Sequence, residues 1–224
     1  MSRFARIDLP DTIYHIYTRA NKGASLFLDD LDRHRFLGFL TRVKQKRPFE
    51  LLSYCLMTTH YHLQLRILQD SLAKTMHLLN TLYAGWFNFR HRQFGHVFQN
   101  RYHSIIVDAD GYLMNLNRYI HLNPVAANIV SAPVDYAWSS YQVYTGEKES
   151  DLISTDLVLG MFADNPIRQR QLYKEFVTEG IGLKPFIQEN ILRKTRILGS
   201  PEFVRRIQMR AGLLPIPKTP ANAI

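Results

Sequence analysis

Apolar residues along the first half of the chain recur with two periods, and the switches between them mark out the elements. Residues 12–19 are β-branched and aromatic and predict a strand, followed by turn residues at Asn21, Lys22 and Gly23. Asp29 and Asp30 place acids at a helix start, after which Phe36, Leu37, Leu40 and Val43 recur at helical spacing until Pro48. Residues 49–57 and 60–67 are both strand-like, and the two threonines between them, Thr58 and Thr59, predict a hairpin. Ser71 is the N-cap of a long helix carrying Leu72, Met76, Leu79, Leu82, Tyr83 and Trp86. A loop around Gly95 leads to a strand from Tyr102 to Val107, and a helix over 111–123 then shows Leu113, Leu116 and Ile120 on its apolar side.

The order β-α-β-β-α-β predicts an α+β fold: a ferredoxin-like antiparallel sheet with two helices on one face. The additional helix at 111–123 is then the element available to cross the other face. From Pro133 the character changes, and residues 155–212 read as helical with charges throughout. The expected organisation is a first domain over 1–146, a helical C-terminal region over 147–214 and a flexible tail over 215–224.

Composition narrows the class of function. With 46% hydrophobic residues in 224, the chain can bury one good-sized core with an appendage, and 21% charged residues are ordinary for a globular protein. No apolar run is long enough for a membrane helix, and the first residues carry no apolar signal core. A single cysteine, Cys55, excludes an internal disulfide and a cysteine-cluster metal site, so a cytoplasmic, nucleoid-associated location is expected. The net charge of +9 asks for an anionic partner. Residues 71–107 contain no carboxylate, and Lys74, Arg90, Arg92 and Arg101 alternate there with Trp86, Phe89, Phe94 and other rings. Cations for phosphates beside rings for bases suit a single-strand nucleic-acid groove, with Arg19 of the first strand as a further candidate. The plainer alternative is a core helix with a solvated basic face.

Chemistry concentrates on the 60–67 strand. Alternation puts His60, His62, Gln64 and Arg66 on one face and Tyr61, Leu63, Leu65 and Ile67 on the other. The apolar face belongs against the helices, so the histidines look to the open side, where two imidazoles at i and i+2 can converge on a metal ion. Taken alone, such a pair is more often surface or hydrogen-bonded histidine. On the 111–123 helix, Tyr119 and Asn123 share a face one turn apart, although Pro124 disfavours helical geometry at Asn123 and predicts a distorted last turn. Together the four residues offer a metal site with an amide oxygen and a phenol aimed at it; by itself, Tyr119 is equally a core tyrosine with its hydroxyl tied off.

These residues carry a resemblance. His60-Tyr61-His62 matches the His-hydrophobe-His motif of the HUH endonucleases, and the surrounding segments resemble the REP-associated tyrosine transposases. The segments are Tyr54-Cys55-Leu56-Met57, the run from Gly95 to Tyr102, Arg118 to Val125, Trp138-Ser139-Ser140-Tyr141 and, more weakly, Leu198 to Phe203. The resemblance implies that His60, His62 and Asn123 hold a divalent ion, Mg²⁺ or Mn²⁺, and that Tyr119 is the nucleophile. It further implies single-stranded DNA beside hairpin-forming repeats as the substrate. Thr58 and Thr59 stand where the family usually has proline and asparagine, and Ala126 and Asn128 where it usually has arginine and glycine.

A phenolate, with an ordinary pKa of about 10, is an adequate nucleophile and an adequate leaving group, so phosphotyrosine conserves the energy of the phosphodiester. A metal stabilises charge on the non-bridging oxygens. Two alternatives are a relative that only binds hairpins and a metal hydrolase with a water nucleophile. The basic residues from Lys184 to Arg210 make the C-terminal region a candidate DNA-binding appendage. Neither the DNA sequence recognised nor the choice between monomer and homodimer is legible.

Overall fold

A computed structural model of the chain describes residues 7–21, 23–185, 187 and 195–214. The expected tail at 215–224 and the basic residues Arg193 and Lys194 lie outside the described residues. The elements β1 (Thr12–Arg19), α1 (Asp30–Lys46), β2 (Phe49–Met57), β3 (His60–Ile67), α2 (Leu72–His91) and β4 (His103–Val107) follow the predicted order. The additional helix is α3 (Ala109–Ala126). A fifth strand, β5 (Ile197–Leu198), completes a sheet of order β2-β3-β1-β4-β5. The first four strands pair antiparallel and β5 joins β4 in parallel, so the α+β sheet is mixed where a purely antiparallel one was expected. Two residues carry no readable alternation, which is why β5 has no signal in the sequence.

Register divides the sheet into an apolar and a polar face. Tyr14 pairs with Leu65, Ile16 with Leu63 and Thr18 with Tyr61, and these side chains lie beneath α1 and α2. Phe36 of α1 packs on Tyr61 with ring centres 4.8 Å apart, and Asn80 of α2 accepts the Tyr61 hydroxyl at 2.9 Å. Leu63 and Leu65 are fully buried, each contributing about 2 kcal/mol of transfer free energy.

The helix ends follow their signals. Asp29 caps α1 by accepting from the Asp32 amide at 3.1 Å. Ser71 caps α2, and the Asp8 carboxylate strengthens that end by accepting from the Leu72 amide at 2.8 Å and the Ala73 amide at 3.2 Å. Pro124 removes one helical donor, yet α3 runs unbroken through it to Ala126, contrary to the expected distortion at Asn123. Asn128, in the family's usual glycine position, has φ 55°. Asparagine tolerates the left-handed region best among residues with a side chain, so the departure keeps the same backbone.

Both edges of the sheet are covered by later chain. At β2 the Leu56 amide donates to the Trp138 carbonyl at 2.9 Å and the Ser154 amide to the Leu51 carbonyl at 2.9 Å. At β4 the covering strand is β5. The expected helical stretch over 155–212 contains, among its described residues, α5 (Asp156–Leu159), α6 (Pro166–Thr178) and α7 (Pro201–Arg210), with α4 (Tyr141–Thr145) before them. Between β5 and α7, a Cβ on Gly199 would stand 2.5 Å from the Phe203 ring and 2.7 Å from Asp108 Cβ, so only glycine fits. Ser200 then caps α7 from Phe203 at 3.2 Å.

Asp32 ties the start of α1 to the end of α2. Fully buried, it accepts from the Leu28 amide at 2.7 Å and the Arg90 guanidinium, and contacts His91 Nε2 at 2.9 Å. Replacing it by alanine leaves the Leu28 amide without its acceptor and the Arg90 guanidinium with Asp29 alone, and Asp32→Ala is expected to lower stability by about 2 kcal/mol in urea denaturation. A loss below about 1 kcal/mol would show that the cluster is not a structural tie.

Candidate active site

The polar face of the sheet is built by the same register. Tyr17 stands opposite His62, His15 opposite Gln64 and Arg19 opposite His60, while β2 contributes Cys55 and Met57 beside the histidines. These residues therefore lie on one face, and α3 crosses it. Gln64 is the fastening: its Nε2 donates to the Leu113 carbonyl at 3.3 Å, and its Oε1 accepts from Ser53 Oγ at 3.0 Å and Asn117 Nδ2 at 3.2 Å. Asn117 Oδ1 accepts from the Tyr173 hydroxyl of α6 at 2.5 Å, and that hydroxyl also meets His121 Nδ1 at 2.5 Å. His121 Nε2 reaches Ser140 Oγ at 2.7 Å. Burial pushes the His121 pKa down to about 3, so it works in this network as a neutral ring.

This fastening puts Tyr119 and Asn123 over the histidines. Asn123 Oδ1 lies 3.4 Å from His60 Nε2. The half-buried Tyr119 ring stands edge-on to His62, centres 5.7 Å apart, and edge-on to His15 at 6.2 Å. The His60 and His62 rings are 5.1 Å apart and nearly perpendicular. The four residues singled out from the sequence thus meet at one end of β3.

His15 was not singled out. Its Nε2 lies 2.9 Å from His62 Nδ1 with the rings stacked, it is fully buried, and its Nδ1 has no hydrogen-bond partner among the described residues. Burial holds its pKa near 3. His62 is held well below the usual histidine range, first by burial and then by His15, His60 and Arg19. On β1, His15 sits among residues with the same strand pattern; only the register with β3 reveals its neighbour.

Each site histidine is gripped through Nδ1, His60 by Thr59 Oγ1 at 3.1 Å and His62 by His15, and His60 Nε2 meets Asn123 on the α3 side. Imidazoles held from behind, with an amide oxygen beside them, form a donor set suited to a divalent ion. Among the described residues no group of three or more His, Cys, Asp or Glu side chains is arranged for a metal, so this mixed set is the candidate. The turn formed by Thr58 and Thr59 is firmly seated: the Thr58 carbonyl accepts from the Leu26 and Phe27 amides at 2.7 and 3.1 Å, and the Thr59 carbonyl from the Ala20 amide at 2.8 Å.

The candidate DNA-binding cations divide. Arg19 and Arg101 are exposed at the histidine end, where the Arg19 carbonyl accepts from the Gln99 amide at 3.0 Å and Tyr17 stacks on His103 at 4.7 Å. Arg92 is exposed at the end of α2 with φ 51°. Arg90 is instead turned onto Asp29, at 2.6 Å, and Asp32. Lys74 stands where β3 has given way to α2, the length of a strand, roughly 25 Å, from His60. The carboxylate-free stretch from 71 to 107 is therefore not one basic surface: α1 supplies the acids that its own sequence lacks.

Comparison with known proteins places this architecture. Residues 9–123, more than half of the chain, match the family model described as "Transposase IS200 like". No curated protein sequence matches the chain. Among solved structures, a REP-associated tyrosine transposase bound to a REP hairpin aligns with a TM-score of 0.58 at 15% identity, covering 69% of this chain and 94% of that one. A structure from Deinococcus radiodurans R1 described as a transposase aligns at 17% identity over 54% of this chain and 94% of its own, with a TM-score of 0.38. The first likeness bears on the fold; the family match is what classifies the sequence. The chain belongs to the IS200-like transposase family.

Proposed function

We propose that the protein is a metal-dependent single-strand DNA endonuclease and transposase that cleaves and rejoins DNA beside repeat hairpins through a 5′-phosphotyrosine intermediate. The observation that carries this reading is the meeting of Tyr119 and Asn123 with His60 and His62 within one chain. His60, His62 and Asn123 would hold Mg²⁺ or Mn²⁺, and the ion would polarise the non-bridging oxygens of the scissile phosphate. Neutral His62, its Nδ1 occupied by His15, offers Nε2 as a ligand without first losing a proton. Asn123, one helical turn beyond Tyr119, fixes the distance between the phenol and the imidazoles.

Attack by the Tyr119 oxygen forms a bond to phosphorus and breaks the bond from phosphorus to the 3′ oxygen, so the phosphate stays on the new 5′ end; the phenol gives up its proton, and the departing 3′ oxygen takes one up as a hydroxyl. The same steps in reverse, with that hydroxyl or one from another strand, rejoin the DNA. Arg19, Arg92 and Arg101 are exposed to receive the backbone phosphates. The hairpin held by the REP-associated relative supports a folded repeat as the substrate.

Two variants test the assignment. Tyr119→Phe is expected to abolish both cleavage and the protein–DNA adduct on a denaturing gel with a labelled hairpin oligonucleotide and Mn²⁺, while hairpin binding persists. Cleavage surviving in that variant would point to a water nucleophile and sink the proposal. His15→Leu is expected to weaken Mn²⁺ binding about 10- to 100-fold by titration calorimetry, with the circular dichroism spectrum retained. Unchanged affinity would remove His15 from the site.

A further inference from the structure

The Tyr173 hydroxyl of α6 stands in the middle of a buried chain of hydrogen bonds whose direction is fixed from end to end. At one end the Tyr54 amide of β2 donates to Ser140 Oγ at 2.9 Å. At the other, Asn117 Nδ2 donates to Gln64 Oε1, which leaves Asn117 Oδ1 to take the Tyr173 proton. With that proton committed, the Tyr173 oxygen accepts from His121. His121 therefore carries its hydrogen on Nδ1 and receives the Ser140 hydroxyl at Nε2. Burial raises the Tyr173 pKa well above its ordinary value, which keeps the proton in the chain. Ser140, His121, Tyr173, Asn117 and Gln64 are all fully buried, so a break at any link leaves a polar group unpaired.

The chain grips α3 on a particular flank. Asn117 and His121 lie one turn apart on one side of the helix, and Tyr119 and Asn123 one turn apart on another. Residues two apart on a helix stand roughly 200° apart around its axis. A second hold comes from Arg118, whose Nη1 donates to the Phe176 carbonyl of α6 at 3.3 Å, with its guanidinium carbon 4.2 Å from the Phe176 ring centre. Bonds on this flank govern how far α3 is rolled about its axis, and so how the Tyr119 ring faces His62. A roll of about 10° carries the end of a tyrosine side chain by roughly 1 Å. A displacement of about 1 Å at a reacting atom can lower a rate about 100-fold.

We propose that Tyr173 is a positioning residue for strand cleavage: through Asn117 and His121 it sets the roll of α3 that aims Tyr119. The proposal rests on the tyrosine-nucleophile reading above. It gives α6, which lies beyond the stretch matched by the family model, a part in the reaction. Tyr173→Phe isolates that part. The ring is kept, stacked on Tyr144 at 4.6 Å and edge-on to Phe162 at 5.7 Å, and only the hydroxyl is removed.

The test uses the full chain, a labelled hairpin oligonucleotide at saturation and Mn²⁺, and follows adduct formation in a single turnover. In Tyr173→Phe the rate is expected to fall about tenfold or more, while hairpin affinity stays within about twofold and the circular dichroism spectrum is retained. An unchanged rate, or a rate that falls only in step with hairpin affinity, overturns the proposal. A second measurement is independent of chemistry. Both proteins are made with 3-fluorotyrosine, and the Tyr119 fluorine resonance is identified by its absence in Tyr119→Phe. Removal of the Tyr173 hydroxyl is expected to shift that resonance and to leave that of Tyr14, beneath the other helices, in place. A Tyr119 resonance that does not move, or one that moves together with Tyr14, overturns the proposal. Absence of any adduct in wild type would count against the nucleophile reading alone, since the fluorine resonances still decide whether Tyr173 places the Tyr119 ring.

Discussion

Gln64 lies at the centre of the interface between α3 and the sheet, and its side-chain amide has to be satisfied where no water reaches it. Three bonds do this, from Ser53, to the Leu113 carbonyl and from Asn117. An amide left unpaired in that position costs about 1–3 kcal/mol, so α3 has a strong preference for the one placement that completes the set. Apolar packing is forgiving about small slides and rotations; directional bonds are not. The relation between the tyrosine helix and the histidine strand therefore depends on polar groups, even though Leu113, Leu116 and Ile120 are fully buried beside them.

The same network reaches into later chain. Tyr173 of α6 bonds Asn117 and His121, the residues two before and two after Tyr119. Tyr144 of α4 receives a bond from Asn117 at 3.2 Å and donates to the Leu52 carbonyl of β2 at 2.5 Å. The C-terminal helices thus support the backbone on either side of the candidate nucleophile.

Period-two and helical spacing were enough to read the seven main elements of the first half, because each is long and one-sided. They were also enough to put His60 with His62 and Tyr119 with Asn123, since those pairs lie on single elements. What was not legible depends on contacts across elements. His15 becomes a neighbour of His62 only through the pairing of β1 with β3. Arg90 reads as an unpaired cation in its own stretch of sequence, and only the fold brings Asp29 and Asp32 to it. Pro124 suggested a distorted last turn, but the loss of one donor near the end of α3 is small beside the packing that holds it. β5 has two residues and owes its place to β4 alone.

The turn before His60 carries a lesson about tolerance. Its grip on the rest of the protein is made by the carbonyls of Thr58 and Thr59, which every amino acid possesses. Main-chain bonds of this kind do not depend on which side chains stand at 58 and 59, so threonines here keep the turn seated. What the side chain at 59 does supply is the group behind His60, here a threonine hydroxyl. A substitution at position 59 would therefore change what holds the His60 ring from behind, on a backbone that the substitution does not reach.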